Sequence, residues 1–408
     1  MHAIHFIKGV TTSRARRLSL CLLAVGFLAA ACASGSSGDS SDTPSLGESP
    51  GSQSDVTNVP NVQGWNTDWS NATIDLSELR RGLGASDPRD VIPPLDDPKL
   101  ETVAEASEWL EDREPVALAE AGGEARAYPL RILTWHEVVN DELGGLAVAV
   151  TYCPLCNSAV GFEREVDGQV LRFGVSGLLR NSDLVMWDRQ TESLWQQLSG
   201  EGIVGELAGT QLEFVSVTIV SWETFREQFP EGTVLSRDTG HGRSYGTNPY
   251  AFYDSASRPF LFSGDVDDRY PAMERVLAVV AGETNKAYPF SVISEERVVN
   301  DEVAGEAIVV FWGDEDTASA LADSQIPDGR AVGTGAAYSR TVDGQVLTFR
   351  PDGEGGFEDD ETGTTWDLLG NGVDGPLSGE RLERVIADTP LWFAWAAFNE
   401  GSAVYEGA

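Results

Sequence analysis

The chain repeats itself, and that constrains its fold more than any other feature. Arg126-Ala127-Tyr128-Pro129-Leu130 returns as Lys286-Ala287-Tyr288-Pro289-Phe290, and Val138-Val139-Asn140-Asp141-Glu142 as Val298-Val299-Asn300-Asp301-Glu302, each 160 residues later. Val166-Asp167-Gly168-Gln169-Val170-Leu171 returns as Val342-Asp343-Gly344-Gln345-Val346-Leu347. Trp195 finds a counterpart in Trp366, and Trp222 with Phe225 in Trp395 with Phe398. Matches in one order over such a distance imply tandem copies of one unit. At 408 residues the chain has room for two domains of ordinary size.

The local patterns say what each unit is made of. Residues 115–118 read as a strand, Gly122-Gly123 as a turn, and a second strand ends at Tyr128. Pro129 suits the first position of a short helix with Leu130, Leu133 and Val138 as its apolar face, stopped by Asn140-Asp141 and Gly144-Gly145. Strands follow at 146–152, 160–164, 169–175 around the Asp167-Gly168 turn, 184–187 and 212–217. The expected class is α+β, mainly antiparallel β. It comprises two tandem copies of one β-rich domain, residues 63–250 forming the first and 251–408 the second, degenerate one.

The copies act as a control on each other. Residues they share serve the fold, and residues found in one copy are free to serve chemistry. At the 160-residue spacing Trp135-His136 falls on Glu295-Glu296, and Cys153 and Cys156 fall on Gly313 and Asp316. Asn181-Ser182-Asp183 is lost in a stretch that is five residues shorter in the second copy. The first copy therefore holds the candidate site. Cys153-Pro154-Leu155-Cys156 is a turn between two strands, which brings two sulfurs within reach of one metal ion or of each other.

As a metal knuckle the turn would supply two thiolates at about 2.3 Å from zinc, and copper would accept fewer, softer ligands, Met186 among them. His136 is the imidazole candidate, while Asn181, Ser182 and Asp183 could orient a ligand or donate an oxygen. If the helix after Pro129 folds back on strand 146–152, His136 lies near Gly144-Gly145, and only a crossing helix brings it to Cys153. His241, in a glycine-rich loop, reads as a loop residue. Two alternatives use the same cysteines. Thiol–disulfide exchange is favoured by a helix N-terminus that lowers the thiol pKa, whereas a strand is expected here, and a structural disulfide suits an oxidising compartment. No nucleophile elbow, phosphate loop or His-Glu-x-x-His helix occurs, so no catalytic residue is assigned.

The formal net charge of −37 repels phosphate backbones and excludes nucleic acid as a partner. The N-terminus is different. Lys8, Arg14, Arg16 and Arg17 precede an apolar run at 18–31, shorter than the roughly 20 residues a bilayer needs. Leu28-Ala29-Ala30-Ala31-Cys32 resembles the cleavage box of bacterial lipoproteins. Residues 1–31 are thus expected to be a lipoprotein signal peptide and Cys32 the lipidated residue. The membrane would be a partner through that lipid, on the extracytoplasmic face. Residues 32–62, rich in Ser, Gly, Pro and Asp, form a flexible linker. His2, His5 and Cys21 leave with the signal, so Cys153, Cys156, His136 and His241 are the remaining soft donors.

Tyr128-Pro129-Leu130, Trp135-His136-Glu137, Tyr152-Cys153-Pro154-Leu155-Cys156, Gly177-Leu178-Leu179, Asn181-Ser182-Asp183-Leu184 and Thr191-Glu192-Ser193-Leu194-Trp195 occur in that order. In these motifs the chain resembles the bacterial and archaeal DUF3179 family, from about Ile92 to about Tyr253. The resemblance implies a residue pattern and no activity. The residues themselves lead to a lipid-anchored extracytoplasmic protein that binds copper or zinc at Cys153 and Cys156.

Overall fold

The computed structural model describes residues 64–281 and 284–407. The signal peptide, the lipid site at Cys32 and the 32–62 linker lie outside the described residues.

Glycine pairs and apolar runs set the first half. Strands β1 (Pro115–Ala121) and β2 (Glu124–Pro129) form a hairpin over Gly122 and Gly123, both at positive φ. The helix α1 (Leu130–His136) follows at once, with Pro129 at its N-cap, and Glu137 ends it in the left-handed region at φ 59°. Next come β3 (Val138–Leu143), β4 (Leu146–Cys153) and β5 (Ser158–Glu163), paired antiparallel.

Residues 138–143 were expected to finish a helix, and they form a strand instead. Asn140, read as a helix stop, clamps the main chain of a distant residue. Its Nδ2 donates to the Phe173 carbonyl at 2.7 Å and its Oδ1 accepts from the Phe173 N–H at 2.9 Å. That clamp ties β3 to a second sheet, β6 (Phe173–Arg180), β7 (Asp183–Asp188), β8 (Leu194–Gln196) and β9 (Gly202–Val204). The expected strand at 169–175 is divided, and β6 runs on to Arg180 across a register shift between Val175 and Leu178. Gly177, at φ 73°, sits in that bulge and interrupts the alternation in the sequence. Strand β10 (Val217–Ser221) returns to pair with β1 and leads into α2 (Trp222–Gln228), capped by Ser221.

The second half runs through the same order. Strands β11 (Val276–Ala281) and β12 (Thr284–Pro289), helix α3 (Phe290–Glu296), and β13 (Val298–Val303), β14 (Glu306–Gly313) and β15 (Thr334–Ser339) precede a four-stranded sheet of β16 (Phe349–Pro351), β17 (Phe357–Asp359), β18 (Thr365–Trp366) and β19 (Gly372–Asp374). A last helix, α4 (Trp392–Phe398), follows. The architecture is α+β and mainly antiparallel β. Among the described residues no helix is long and apolar enough to cross a membrane.

The sequence matches are structural ties. Tyr128 donates to Asp141 Oδ2 at 2.8 Å, and Tyr288 to Asp301 Oδ2 at 2.8 Å. Arg126 and Lys286 reach the same two carboxylates at 2.6 Å. Trp195 donates to Asp188 and Trp366 to Asp359, each at 3.0 Å. Two sequence pairings shift. Trp222 and Trp392 each open the corresponding helix, so Trp392, one turn before Trp395, is the counterpart. Cys153 pairs with Ser158 and Gly313 with Thr334. Residues 314–333 therefore stand where residues 154–157 stand, and Cys156 has no counterpart.

Candidate metal centre

Strand β4 is central in its sheet and buried on both faces, which explains its nearly continuous apolar sequence. Its side chains alternate between two cores. Val148, Val150 and Tyr152 join the cluster that contains Tyr128 and Leu130. Ala149 and Cys153 face the other, with Phe173, Trp195 and Met186. Cys153 thus points into the layer between the β3–β5 and β6–β9 sheets. The chain turns over residues 154–157, closed by a Cys156 N–H to Cys153 carbonyl bond of 3.1 Å and by Asn157 at φ 53°. This brings Cys156 back into the same core, as a free thiol like Cys153.

A hairpin from the opposite sheet delivers the third group. Asn181 and Ser182 occupy its two-residue turn at φ 49° and 66°, the conformation that a type I′ turn requires and that asparagine tolerates. Asp183 follows, wholly buried. Its Oδ2 accepts from Gln196 Nε2 at 2.5 Å and from the Leu198 N–H at 3.0 Å, and beyond these the carboxyl meets only the two thiols, whose hydrogen bonds act against the effect of burial. One ligand atom from each of Cys153, Cys156 and Asp183 lies within 4.8 Å of the others. Burial pushes both thiols upward, Cys156 well above its ordinary value. Burial also raises the Asp183 carboxyl to about 6.

His136 is not part of this group. Its Nδ1–H donates to the Pro93 carbonyl at 2.7 Å, leaving Nε2 to accept from the Tyr245 hydroxyl at 2.6 Å. Both ring nitrogens are occupied, and burial lowers the imidazole to about 4. His241 is exposed, its ring 5.2 Å from that of His136. Asn181 and Ser182 shape the turn. The Ser182 carbonyl accepts from the Cys153 thiol at 3.9 Å, and its hydroxyl donates to the Phe260 carbonyl.

The family model described as a protein of unknown function (DUF3179) matches residues 89–402. The chain belongs to the DUF3179 family. Family membership thus covers both halves, well beyond the segment near Tyr253 where the resemblance was expected to end. No curated protein and no solved structure matches the chain.

The second half of this DUF3179 chain closes over the site. Leu391 and Phe393 share the core of both cysteines. The Leu391 N–H donates to the Cys156 carbonyl at 2.7 Å, Asn157 Nδ2 to the Thr389 carbonyl at 2.8 Å, and the Ala159 N–H to Asp388 Oδ1 at 3.0 Å. Burial raises the Asp388 carboxyl to about 7.

Sequence reasoning missed Glu137. Because 138–143 pair with 146–151 across Gly144-Gly145, residue 137 sits at the Cys153 end of β4, and its carbonyl accepts from the Tyr152 N–H at 2.8 Å. The carboxyl is buried, accepts from the Tyr250 hydroxyl at 3.0 Å, and is raised to about 7 chiefly by burial and also by the Asp183 charge. The 160-residue spacing carried the signal, since Glu137 falls on Arg297, which ends α3 as Glu137 ends α1. Glu137, Leu155 and Leu184 also face a pocket of about 570 Å³ beside the sulfurs.

Proposed function

We propose that this chain is a lipid-anchored extracytoplasmic protein, built by tandem duplication, whose first unit binds one transition-metal ion through Cys153, Cys156 and Asp183. The observation that carries the reading is the meeting, in one buried spot, of two thiols and a carboxylate whose Oδ1 has no partner other than those thiols. A buried carboxylate oxygen met only by thiols, which are weak donors, costs free energy that a bound cation would offset. Two sulfurs and one oxygen on a tetrahedral zinc sit on the order of 3.5 Å apart, given zinc bonds of about 2.0–2.3 Å. The 4.8 Å limit on the present group is therefore within small side-chain adjustments of that arrangement.

The donor set fits zinc better than copper(I), because the third ligand is a hard oxygen. Ligands buried this deeply suit metal holding or sensing. The duplication is supported by the common element order and by the paired Tyr–Asp and Trp–Asp bonds. Export and lipidation rest on the sequence around Cys32.

Thiol–disulfide exchange has less support. Strand β5 follows the pair, and burial raises both thiols where an exchange enzyme lowers one. Metal analysis of the purified chain and of Cys153→Ser decides between the readings. One equivalent of zinc in the wild type, absent from the variant, is expected. A metal-free protein with a readily cycled Cys153–Cys156 disulfide overturns the proposal in favour of exchange. A disulfide resistant to mild reduction overturns it in favour of a scaffold.

A further inference from the structure

The pocket beside the sulfurs holds a buried acid, Glu137, that no basic side chain among the described residues pairs with. Its wall is apolar, formed by Leu155, Leu179, Leu184 and neighbouring residues. At about 570 Å³ it is in the range of small-molecule sites. Glu137, a residue only 6% exposed, is part of this wall. Its hydrogen bond comes from the neutral Tyr250 hydroxyl, and the charged group that acts on it is the like-charged Asp183. No Lys, Arg or His pairs with it among the described residues.

Aromatic residues share the pocket with that carboxyl. Tyr250, Phe252, Tyr253 and Phe260 line the same pocket. Phe252 is 58% exposed and Phe260 54% exposed, so two large rings stand at the rim without cover. Phe252 is also held at φ 64°, a region that bulky side chains avoid. Structure that keeps an aromatic residue there at a conformational cost is a mark of functional sites.

We infer that this pocket binds an organic ammonium cation with an apolar body, the cationic head lodged between Glu137 and the aromatic rings. The chemistry is complementary on each count. A bound cation would stabilise the ionised form of Glu137, which has no ion-pair partner among the described residues. Ring faces attract ammonium groups, most strongly where water is excluded. The apolar wall takes the body of the ligand, and the strongly negative chain favours the approach of cations. The site is separate from the metal centre, because Cys153, Cys156 and Asp183 do not line the pocket.

Isothermal titration of the full chain with three probes that share an eight-carbon chain tests this: octyltrimethylammonium, octanol and octanoate. The ammonium is expected to bind at one site about tenfold or more tighter than either analogue, as one carboxylate and ring contacts together provide. Glu137→Gln should erase the preference for the cation. Leu179→Trp, which fills the pocket from a half-buried position, should abolish saturable binding by all three probes. Thermal unfolding and metal content measured on both variants separate loss of this site from loss of the fold or of the sulfur centre. Absence of saturable ammonium binding to the wild type overturns the inference. So does binding that survives in both variants, which would locate the cation on the acidic surface.

Discussion

The N–H of Leu391 donates to the Cys156 carbonyl at 2.7 Å, so the C-terminal half is bonded directly to the turn that carries both sulfurs. Leu391 is fully buried among those sulfurs, Phe393 and Leu155. Leu391→Ala leaves the backbone bond possible and removes the packing. It is expected to destabilise the chain by about 2–5 kcal/mol, as for other buried leucines. Because the lost atoms pack against the cysteine core, the variant should also yield its metal to a chelator faster than wild type. Denaturant unfolding and the rate of metal loss measure the two effects. Normal stability with unchanged metal release would mean that the second half does not support the site.

The paired ties predict a purely structural effect. Tyr128→Phe removes the donor to Asp141 Oδ2, a carboxylate that keeps its ion pair with Arg126. A loss of about 1.5–3 kcal/mol is expected, the scale of one hydrogen bond to a charged group. Metal content should not change. A Tyr128→Phe chain that folds normally and loses its metal would show that this tie also positions the sulfur turn.

How far the sequence could be read follows from how local each determinant is. The hairpins at Asp167-Gly168 and Asp343-Gly344 were legible because both turns need positive φ, which Gly supplies and Asp tolerates. The Cys-x-x-Cys turn was legible because spacing alone brings the sulfurs together. Asn140 misled, since asparagine usually stops helices, and its partner Phe173 is distant in sequence and became visible only in the fold. His136 attracted attention as an imidazole, yet its role is to hold Tyr245, as Glu296 holds Tyr405. Asp183 was one of three residues in a motif, and the two-residue turn that uses up Asn181 and Ser182 is what leaves it to face the sulfurs.

Asp183 offers the sharpest test of the metal reading that spares the thiols. In Asp183→Asn the remaining carbonyl oxygen can still accept from Gln196 and Leu198, so the hairpin should persist. The new amide replaces the oxygen that faces the thiols with a neutral donor that cannot ligate a cation through its nitrogen. A drop in zinc affinity of at least roughly 10–100-fold is expected, the scale for losing a group that only supports a ligand, with both thiols still titratable after unfolding. Competition against a chromophoric chelator reads the affinity directly. Unchanged affinity would leave the two sulfurs as the complete protein contribution and remove Asp183 from the site.

The buried acids set the pH response of the metal-free chain. Stability varies with pH as the difference in protons bound by the unfolded and folded states. Asp388 has an ordinary value of 3.8 and is raised by burial to about 7 in the fold. Between those values the folded chain holds a proton that the unfolded chain has released, so unfolding becomes easier as pH rises. The contribution is fully present below about pH 4 and is lost as pH passes through 7. Glu137 and Asp183 act in the same direction, with folded values of about 7 and about 6. Asp388→Asn keeps an oxygen for the Ala159 and Thr389 N–H groups and removes the titration. Thermal midpoints of the metal-free wild type should therefore fall more between pH 5 and pH 8 than those of Asp388→Asn, which should be the more stable chain at pH 8 by a few degrees. Parallel profiles for the two proteins would show that the Asp388 carboxyl titrates as it does in the unfolded chain.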